Sequence, residues 1–233
     1  MTAALSYFTW LDGLALSMLI GLWVLTGYWV DHGFRGRASM HSTIRHYRYD
    51  WMRAMITRQP RIFDSAILAQ LAQSASFFAS ACMIAIGGAV ALMANTDQLS
   101  GFASDISAEL AAPRIVWEIK VMTVLGFIVI AFLRFVWAVR LFNYCAVLMA
   151  SVPNDPEDPK TEDTARRAAE INIAAARHFN SALRGVYYAI AALGWLIGGT
   201  GLVVTTLFAT LTVMRREFYS HSRDVIGAGP PPR

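Results

Sequence analysis

Four long stretches with almost no charged residues dominate the pattern of hydrophobic and polar positions. A hydrocarbon core of about 30 Å requires roughly 20 apolar residues at 1.5 Å per helical residue. The first stretch carries only Asp12, the third carries Arg134, and the other two carry no charge. The pattern predicts an all-α integral membrane four-helix bundle, one domain over residues 1–218 with a short flexible tail at 219–233. The predicted spans cover about residues 8–30, 74–93, 121–139 and 186–214.

The fourth predicted span has 29 residues, more than one perpendicular span requires. It is expected to tilt, to bend near the glycine-rich stretch 198–201, or to extend beyond the bilayer. A re-entrant arrangement through the same glycines would return the C-terminus to the side on which the span starts. The length alone leaves these arrangements open.

The composition supports a membrane protein and excludes several other classes. Hydrophobic residues make up 56% of the chain, charged residues 15%, and the mean hydropathy is +0.43. Two cysteines exclude a disulfide scaffold and a four-cysteine zinc site. No cleavable signal pattern precedes the first span, so we expect this span to stay in the mature protein. The net charge is +4, and the basic residues cluster beside the predicted spans. This position favours membrane lipids as partners and disfavours nucleic acid.

The lysines and arginines are distributed unequally between the loops. Thirteen lie in the first and third loops, five lie in the second loop and the tail, and Lys120 and Arg134 lie in or near the third span. Because short loops rich in Lys and Arg stay in the cytoplasm, we place the first and third loops there and both termini on the opposite side. The basic tail after Met214 argues against this placement of the C-terminus.

The first cytoplasmic loop contains an amphipathic pattern. Met40, Ile44, Tyr47, Trp51 and Met55 recur every three or four residues and therefore share one face of a helix. Arginines occupy much of the remaining surface. The pattern predicts an amphipathic interfacial helix, with aromatic side chains inserted among lipids and arginines near phosphates. The alternative is that the same face packs against the protein's own helical bundle.

Ionisable residues at membrane depth are the first candidates for function, because they require a partner, a cavity or a headgroup. Asp12 and Lys120 fall near the outer ends of their spans. They are candidates for an intramembrane ion pair or an ion path, and snorkelling to the interface is the simpler alternative. Arg134 lies deeper, where it would hold an anionic substrate or headgroup, or neutralise an acid on a neighbouring helix.

A denser group of polar residues gathers at the predicted cytoplasmic ends of the spans. Because arginine offers a planar, permanently charged fork for carboxylate or phosphate, this group predicts a site for an anion or a lipid headgroup. The alternative is that the same residues cap helix ends and contact headgroups. Together with Arg134, the candidate site comprises Arg61, Asp64, Arg140, Asn143, Arg177, His178, Asn180 and Arg184.

Patterns that signal catalysis or a cofactor are missing from the sequence. It contains no G-x-S-x-G, no Gly-rich phosphate loop and no H-E-x-x-H. All five histidines fall outside the predicted spans, where haem ligands between membrane helices would have to lie. His32, His41 and His46 lack the spacing and the partners of a metal site. We therefore expect no catalytic residue, no cofactor and no metal, and an enzyme is the weakest class.

Six short segments occur in order along the chain: Trp51–Met55, Arg61–Asp64, Ser76–Ser80, Arg140–Cys145, Arg177–Asn180 with Leu183–Arg184, and Arg215–Phe218. In this order they resemble the family of multi-pass membrane proteins catalogued as domain of unknown function 599. The resemblance extends from about Leu11 to Phe218. It implies a multi-pass protein, and with the orientation rule it implies the inner membrane of a bacterium. It implies no particular activity, substrate or catalytic residue.

These observations favour a non-catalytic inner-membrane protein that acts as an accessory or scaffold subunit or interacts with lipids. Small residues at four-residue spacing, such as Gly13, Ser17 and Gly21, favour close helix packing and allow a homo-oligomer or another membrane protein as partner. The alternative function is a small oligomeric transporter or channel with an arginine-lined anion site near the cytoplasmic face. A transporter needs a polar route through the bilayer, and the second span offers only small hydroxyl groups.

Overall fold

The protein is mainly helical in the part described by the computed structural model, which covers residues 7–94 and 113–227. No strand occurs in these two ranges, and the predicted all-α class is confirmed. Most of the predicted second loop and residues 228–233 of the tail lie outside them. The helices, numbered in chain order, are α1 (Trp10–His32), α2 (Met40–Ile56), α3 (Ile62–Ala94), α4 (Arg114–Ser151), α5 (Thr161–Leu193), α6 (Gly199–Phe218) and α7 (His221–Gly227).

Three helices, α1, α3 and α4, are long and apolar enough to cross a membrane. They overlap the predicted spans at 8–30, 74–93 and 121–139. With 33 residues in α3 and 38 in α4, a rise of 1.5 Å per residue gives lengths of about 50 and 57 Å. Both helices are therefore longer than a hydrocarbon core of about 30 Å, so that turns at their ends reach the interface or the water.

Of the arrangements left open for residues 186–214, a straight helix is wrong, and the break at the glycine-rich stretch 198–201 is confirmed. α5 ends at Leu193, and Gly198 has a φ of 120°, a left-handed value that residues with a side chain rarely adopt. The Thr205 hydroxyl donates a hydrogen bond to the Ala191 carbonyl at 2.6 Å. In a straight helix these two residues would lie about 21 Å apart. The chain therefore reverses at Gly198, and α6 runs antiparallel to the end of α5.

The reversal requires a very close approach between the end of α5 and the start of α6. A Cβ atom on Gly194 would lie 2.7 Å from the Gly201 carbonyl oxygen. Further from the turn, the hydroxyl oxygens of Tyr188 and Thr210 are 2.9 Å apart, and the Thr26 hydroxyl lies 3.3 Å from the same tyrosine oxygen. Glycine permits the approach of the two backbones, and buried hydroxyl groups then join the hairpin to α1.

Packing divides the chain into two compact units, and the long helices contribute to both. In unit 1, side chains of α1, α4, α5 and α6, with Trp195 from the 3-10 turn between α5 and α6, form an apolar core that includes Leu19 and Leu202. In unit 2, side chains of α2, α3, α4 and α5 form a second core that includes Met55 and Phe142. Of the described residues, unit 1 comprises 7–28, 81–94, 113–131 and 183–215, and unit 2 comprises 29–80, 132–182 and 216–227.

α2 is part of the packing of unit 2. The Ser39 hydroxyl accepts a hydrogen bond from the Ser42 backbone N–H at 3.1 Å and so caps the start of the helix. Met52 and Met55 are buried, whereas Tyr47 is 45% exposed. The end of α2 that carries the two methionines therefore packs on the protein's own helices. An interfacial position for the exposed face stays a prediction.

α7 lies directly against α2. The Tyr47 hydroxyl donates to the Ile226 carbonyl at 3.0 Å, and Arg223 Nε donates to the Ala38 carbonyl at 3.2 Å. Segments in direct contact cannot lie on opposite sides of a bilayer. The contact agrees with the alternative in which a turn through the glycines at 198–201 returns the C-terminus to the side of the first loop, and the side of the membrane on which these segments lie stays a prediction.

Replacing Gly194 by alanine should destabilise the protein, because the new Cβ would overlap the Gly201 carbonyl oxygen. Overpacking of this kind costs about 1–3 kcal/mol. Gly87→Ala is the matched control, since nothing lies within 4 Å of a Cβ at that position. We expect a lower midpoint of thermal unfolding in detergent for Gly194→Ala and no decrease for the control. Equal midpoints would contradict the close contact.

Candidate functional site

A groove opens in unit 2 where α3 begins and α4 ends. Its volume of about 910 Å³ is typical of small-molecule sites. Arg61 before α3 contacts Val152 after α4, and the Phe78 ring of α3 stacks on the Phe135 ring of α4, so the helices run antiparallel beside it. The groove is lined by Met55, Gln59, Pro60, Arg61, Ser65, Leu68, Ala69, Ala72, Phe142, Asn143, Ala146, Met149, Ala150 and Asn154.

Small side chains on the two helices make room for the groove. A methyl side chain fills less of the space between two helices than a larger apolar side chain does. The alanines that line the groove are Ala69 and Ala72 on α3 and Ala146 and Ala150 on α4. Larger buried side chains also line it, namely Leu68, Phe142 and Met149. Most of the lining is therefore apolar, and the few polar side chains decide what it accepts.

Arg61 lines the groove and also caps α4. Its two terminal nitrogens donate hydrogen bonds to the carbonyls of Val152 at 2.7 Å and Pro153 at 2.9 Å. These carbonyls come directly after Ser151, the last residue of α4. A helix end carries acceptors without intrahelical partners and a partial negative charge, which a guanidinium group satisfies. The alternative in which polar residues cap helix ends therefore describes Arg61.

Asp64 is fully buried and joins α2 to α3. Trp51 Nε1 donates a hydrogen bond to Asp64 Oδ1 at 2.7 Å, and Arg58 forms an ion pair with the same oxygen. The other oxygen, Oδ2, is buried and has no hydrogen-bond partner within residues 7–94 and 113–227. Asp64 does not line the groove. Its charge-assisted hydrogen bonds stabilise the connection between the two helices.

Two arginines of the predicted anion site lie on α4, outside the lining of the groove. Arg134 donates a hydrogen bond to the Ser181 hydroxyl of α5. Arg140 donates to the Tyr144 hydroxyl at 3.2 Å, and its guanidinium carbon lies 5.9 Å from the centre of the Trp137 ring. Both guanidinium groups therefore have partners within unit 2.

The members of the predicted site on α5 also lie outside the groove lining. The Asn180 side chain is hydrogen-bonded to His41 Nδ1 at 3.2 Å, and Arg177 is exposed. Burial, together with two neighbouring arginines, lowers the pKa of His178, which favours a neutral imidazole at pH 7. Arg184 is buried in unit 1. Of the residues predicted for an anion or lipid site, the structure places Arg61 and Asn143 in the groove.

Asp12 and Lys120 are both buried in unit 1. The Asp12 carboxylate accepts a hydrogen bond from the Thr9 backbone N–H at 2.9 Å, and the Asp12 N–H donates to the Thr9 hydroxyl at 3.4 Å, which is a capping box at the start of α1. Trp195 Nε1 also donates to the carboxylate, at 2.7 Å. The Lys120 ammonium lies 5.0 Å from the centre of the Trp117 ring and interacts electrostatically with Asp12. A direct ion pair stays a prediction.

A buried polar network in unit 2 has no signal in the sequence. Arg48 donates a hydrogen bond to the Asn172 side-chain oxygen, and Asn172 Nδ2 donates to Cys145 Sγ at 3.6 Å. The three residues belong to α2, α5 and α4, so no spacing within one helix reveals the network. Neither this network nor any group of three His, Cys, Asp or Glu side chains in the two described ranges is placed to hold a metal ion.

Comparison with known proteins identifies the relatives of the chain at the level of a family. A family model described as "Protein of unknown function, DUF599" matches residues 14–222, which is most of the chain. The match confirms the resemblance carried by the six short segments. No curated protein and no solved structure matches the chain.

Asp64→Ala should destabilise the protein by about 2–3 kcal/mol, because it leaves the Trp51 indole N–H and the half-exposed Arg58 without their acceptor. The control is Glu162→Ala. It breaks an ion pair with Arg53 in which both side chains are 75% exposed, and such pairs contribute about 0–1 kcal/mol. Thermal unfolding in detergent measures both variants. An Asp64→Ala midpoint no lower than that of the control would contradict a structural role for the carboxylate.

Proposed function

We propose that this chain, which belongs to the DUF599 family of proteins of unknown function, is a non-catalytic multi-pass protein of the bacterial inner membrane that holds a lipid at its cytoplasmic end. The observation that carries the proposal is the apolar groove of about 910 Å³ between two helices of membrane-spanning length. In this role the protein acts as an accessory or scaffold subunit whose lipid is bound and not chemically changed.

The surface beside the groove is suited to contact with lipid. Ile62 and Phe63 at the start of α3 are 69% and 63% exposed, and Val147 on α4 is 68% exposed. Large exposed apolar side chains on helices of this kind favour a lipid environment over water. Arg58 lies over the Phe63 ring at 5.7 Å, and basic and aromatic side chains collect at the headgroup level. An acyl chain can therefore enter the groove from the bilayer.

The distribution of basic residues supports a cytoplasmic location for the first and third loops and for the C-terminus. In the proposed topology Arg215, Arg216 and Arg223 lie on the same side of the membrane as the first loop. They join the thirteen lysines and arginines of the first and third loops, whereas Arg114 belongs to the loop on the other side. This arrangement agrees with the positive-inside rule better than a C-terminus on the opposite side does.

The exposed surface of α3 supports an accessory or scaffold role. Phe77 and Ile84 are 68% and 77% exposed, and both lie on the helix that forms one wall of the groove. Small residues on the same helix, among them the exposed Gly87 and Gly88, allow another membrane helix to approach closely. This surface is suited to membrane lipid, a second copy of the chain or another membrane protein.

The second candidate function is a small oligomeric transporter or channel with an arginine-lined anion site. Burial of Asp12 and Lys120 favours it, because charged side chains within membrane helices often belong to an ion path. The test is phosphate and chloride flux into liposomes that contain the purified protein. A flux that decreases on replacing Arg134, Arg140 or Arg177 by alanine would support this function, and a flux unchanged by all three would exclude the anion site.

Cysteine labelling tests the proposed topology. In a background of Cys82→Ala and Cys145→Ala, single cysteines at the exposed positions Thr57 and Ser222 should be protected from a membrane-impermeant maleimide in intact spheroplasts. A cysteine at Tyr7, which is 53% exposed, should react under the same conditions. All three should react after permeabilisation. Labelling at Ser222 with protection at Thr57 would contradict the return of the C-terminus.

Filling the groove should release the bound lipid. Ala69 lines the groove, whereas Ala66 lies one turn earlier on α3, is also exposed and does not line it. We expect Ala69→Phe to reduce the lipid retained after gentle extraction by about tenfold, which corresponds to roughly 1.4 kcal/mol of binding free energy, and Ala66→Phe to leave it unchanged. Mass spectrometry of the bound lipid fraction measures both. Equal retention by the two variants would refute lipid binding in the groove.

A further inference from the structure

We infer that α3 is a dimer interface and that it pairs with α3 of a second copy of this chain. The interface is a seam of four exposed residues in unit 2, namely Gln70, Gln73, Phe77 and Ser80. The inference names the partner for the accessory or scaffold role. It rests on the proposed membrane position of α3 and is independent of lipid binding in the groove.

The spacing of the seam is typical of a helix that pairs with another helix. Its residues follow one another at intervals of three, four and three, and the sequence continues the pattern to Ile84 and Gly87. A repeat of 3.5 residues keeps one stripe of a helix turned toward a parallel partner, and membrane helices commonly cross in this geometry. All four residues of the seam are exposed, and Phe77 is 68% exposed. The seam therefore faces away from the core of unit 2.

A hollow in the surface of α3 coincides with the seam. Its volume is about 320 Å³, and it is lined by Gln70, Gln73, Ser74, Phe77 and Phe78. The first four of these residues are separated by three, one and three positions, which is the arrangement of the hole that receives one side chain of a facing helix. In a parallel pair with matched register, the side chain that enters this hole is Gln73 of the other copy. The hollow therefore lies where a second α3 would insert a side chain.

The two glutamines of the seam supply hydrogen bonds between the copies. Their side-chain amides make no hydrogen bond within residues 7–94 and 113–227, whereas the nearby Ser74 hydroxyl donates to the Gln70 backbone carbonyl at 2.9 Å. An amide carries two donor hydrogens and one acceptor oxygen, so two identical amides can each donate to the other. Hydrogen bonds between polar side chains hold membrane helices together where the hydrophobic effect does not.

A second copy matches the amides of the seam, whereas acyl chains do not. α3 carries no charged residue after Asp64, so Gln70 and Gln73 belong to its apolar part. Acyl chains offer neither a donor nor an acceptor to an amide. Two copies of one sequence cross the bilayer in the same direction, and a pair with two-fold symmetry therefore brings each glutamine to its own counterpart. The donors and acceptors of the seam are complementary to those of a second seam without any further requirement.

Cross-linking of the full-length protein in native membranes tests the pairing. In a background of Cys82→Ala and Cys145→Ala, Ser80→Cys places a thiol on the seam, one heptad after Gln73. The matched control is Leu133→Cys, because Leu133 lies on α4 in unit 2 and is 59% exposed. Oxidation with copper phenanthroline should give a disulfide-linked dimer for Ser80→Cys and leave Leu133→Cys monomeric. Equal cross-linking of the two variants, or a product that joins Ser80→Cys to a different protein, would overturn the inference.

Energy transfer between labelled protomers in liposomes measures the contribution of the two glutamines. Gln70→Leu combined with Gln73→Leu should raise the dissociation constant of the dimer about tenfold, because leucine retains the bulk and loses the hydrogen bonds. Gln70→Asn combined with Gln73→Asn keeps the amides and should raise it less. Both positions are exposed, so the variants should fold, and helical circular dichroism checks that they do. A native protein without energy transfer, or a leucine variant that associates as tightly as the native protein, would refute pairing through the seam.

The seam and the lipid site can fail separately. Lipid retention by Ala69→Phe and Ala66→Phe reports on the groove, whereas cross-linking of Ser80→Cys reports on the seam. If Ser80→Cys forms the dimer and Ala69→Phe retains its lipid, only lipid binding in the groove fails. If Ala69→Phe releases its lipid and Ser80→Cys stays monomeric, only the dimer fails.

Discussion

The close approach of two helix backbones at Gly194 and Gly201 is the contact on which the rest of the structure depends. It allows α6 to run antiparallel to α5 and to return the chain to the residues that pack against α2. The turn is also held at the start of α1, since Trp195 donates to the Asp12 carboxylate and a Cβ on Gly199 would lie 3.2 Å from the same carboxylate. A larger residue at 194 would separate the helices and weaken these hydrogen bonds together.

Several polar residues at the helix ends have structural roles. Arg61 satisfies carbonyls after α4, Asp64 joins Trp51 and Arg58, and Asp12 belongs to a capping box. Helix ends leave backbone groups without partners, and in an apolar chain the few polar side chains nearby are the ones available to satisfy them. The type of a residue and its approximate depth in the membrane therefore indicate where polar residues cluster in such a protein. They do not distinguish a cluster that binds a ligand from one that stabilises the fold.

The groove results from the distribution of side-chain size. Alanines at 69 and 72 face others across the gap between α3 and α4, while Phe78 and Phe135 stack further along the same pair of helices. The helices are thus in contact at the aromatic level and leave space toward their ends. The neutral side chain of Asn143 lies in this space. The groove is thereby formed between two helices, and Arg61 is the only charged side chain among the described residues that line it.

The sequence by itself determined the helical membrane class, the three spans that overlap α1, α3 and α4, a helix from about Met40, and the family. Each of these properties depends on local composition and spacing. Only the tertiary structure decided that residues 186–214 form a hairpin, because an apolar stretch has the same hydropathy whether it continues straight or turns back. The groove also required the fold, since Asn143 and Gln59 lie far apart in the chain and no periodicity relates them. Hydropathy reflects how readily each side chain leaves water for an apolar environment. Close packing and hydrogen bonding depend instead on which surfaces of the folded chain meet.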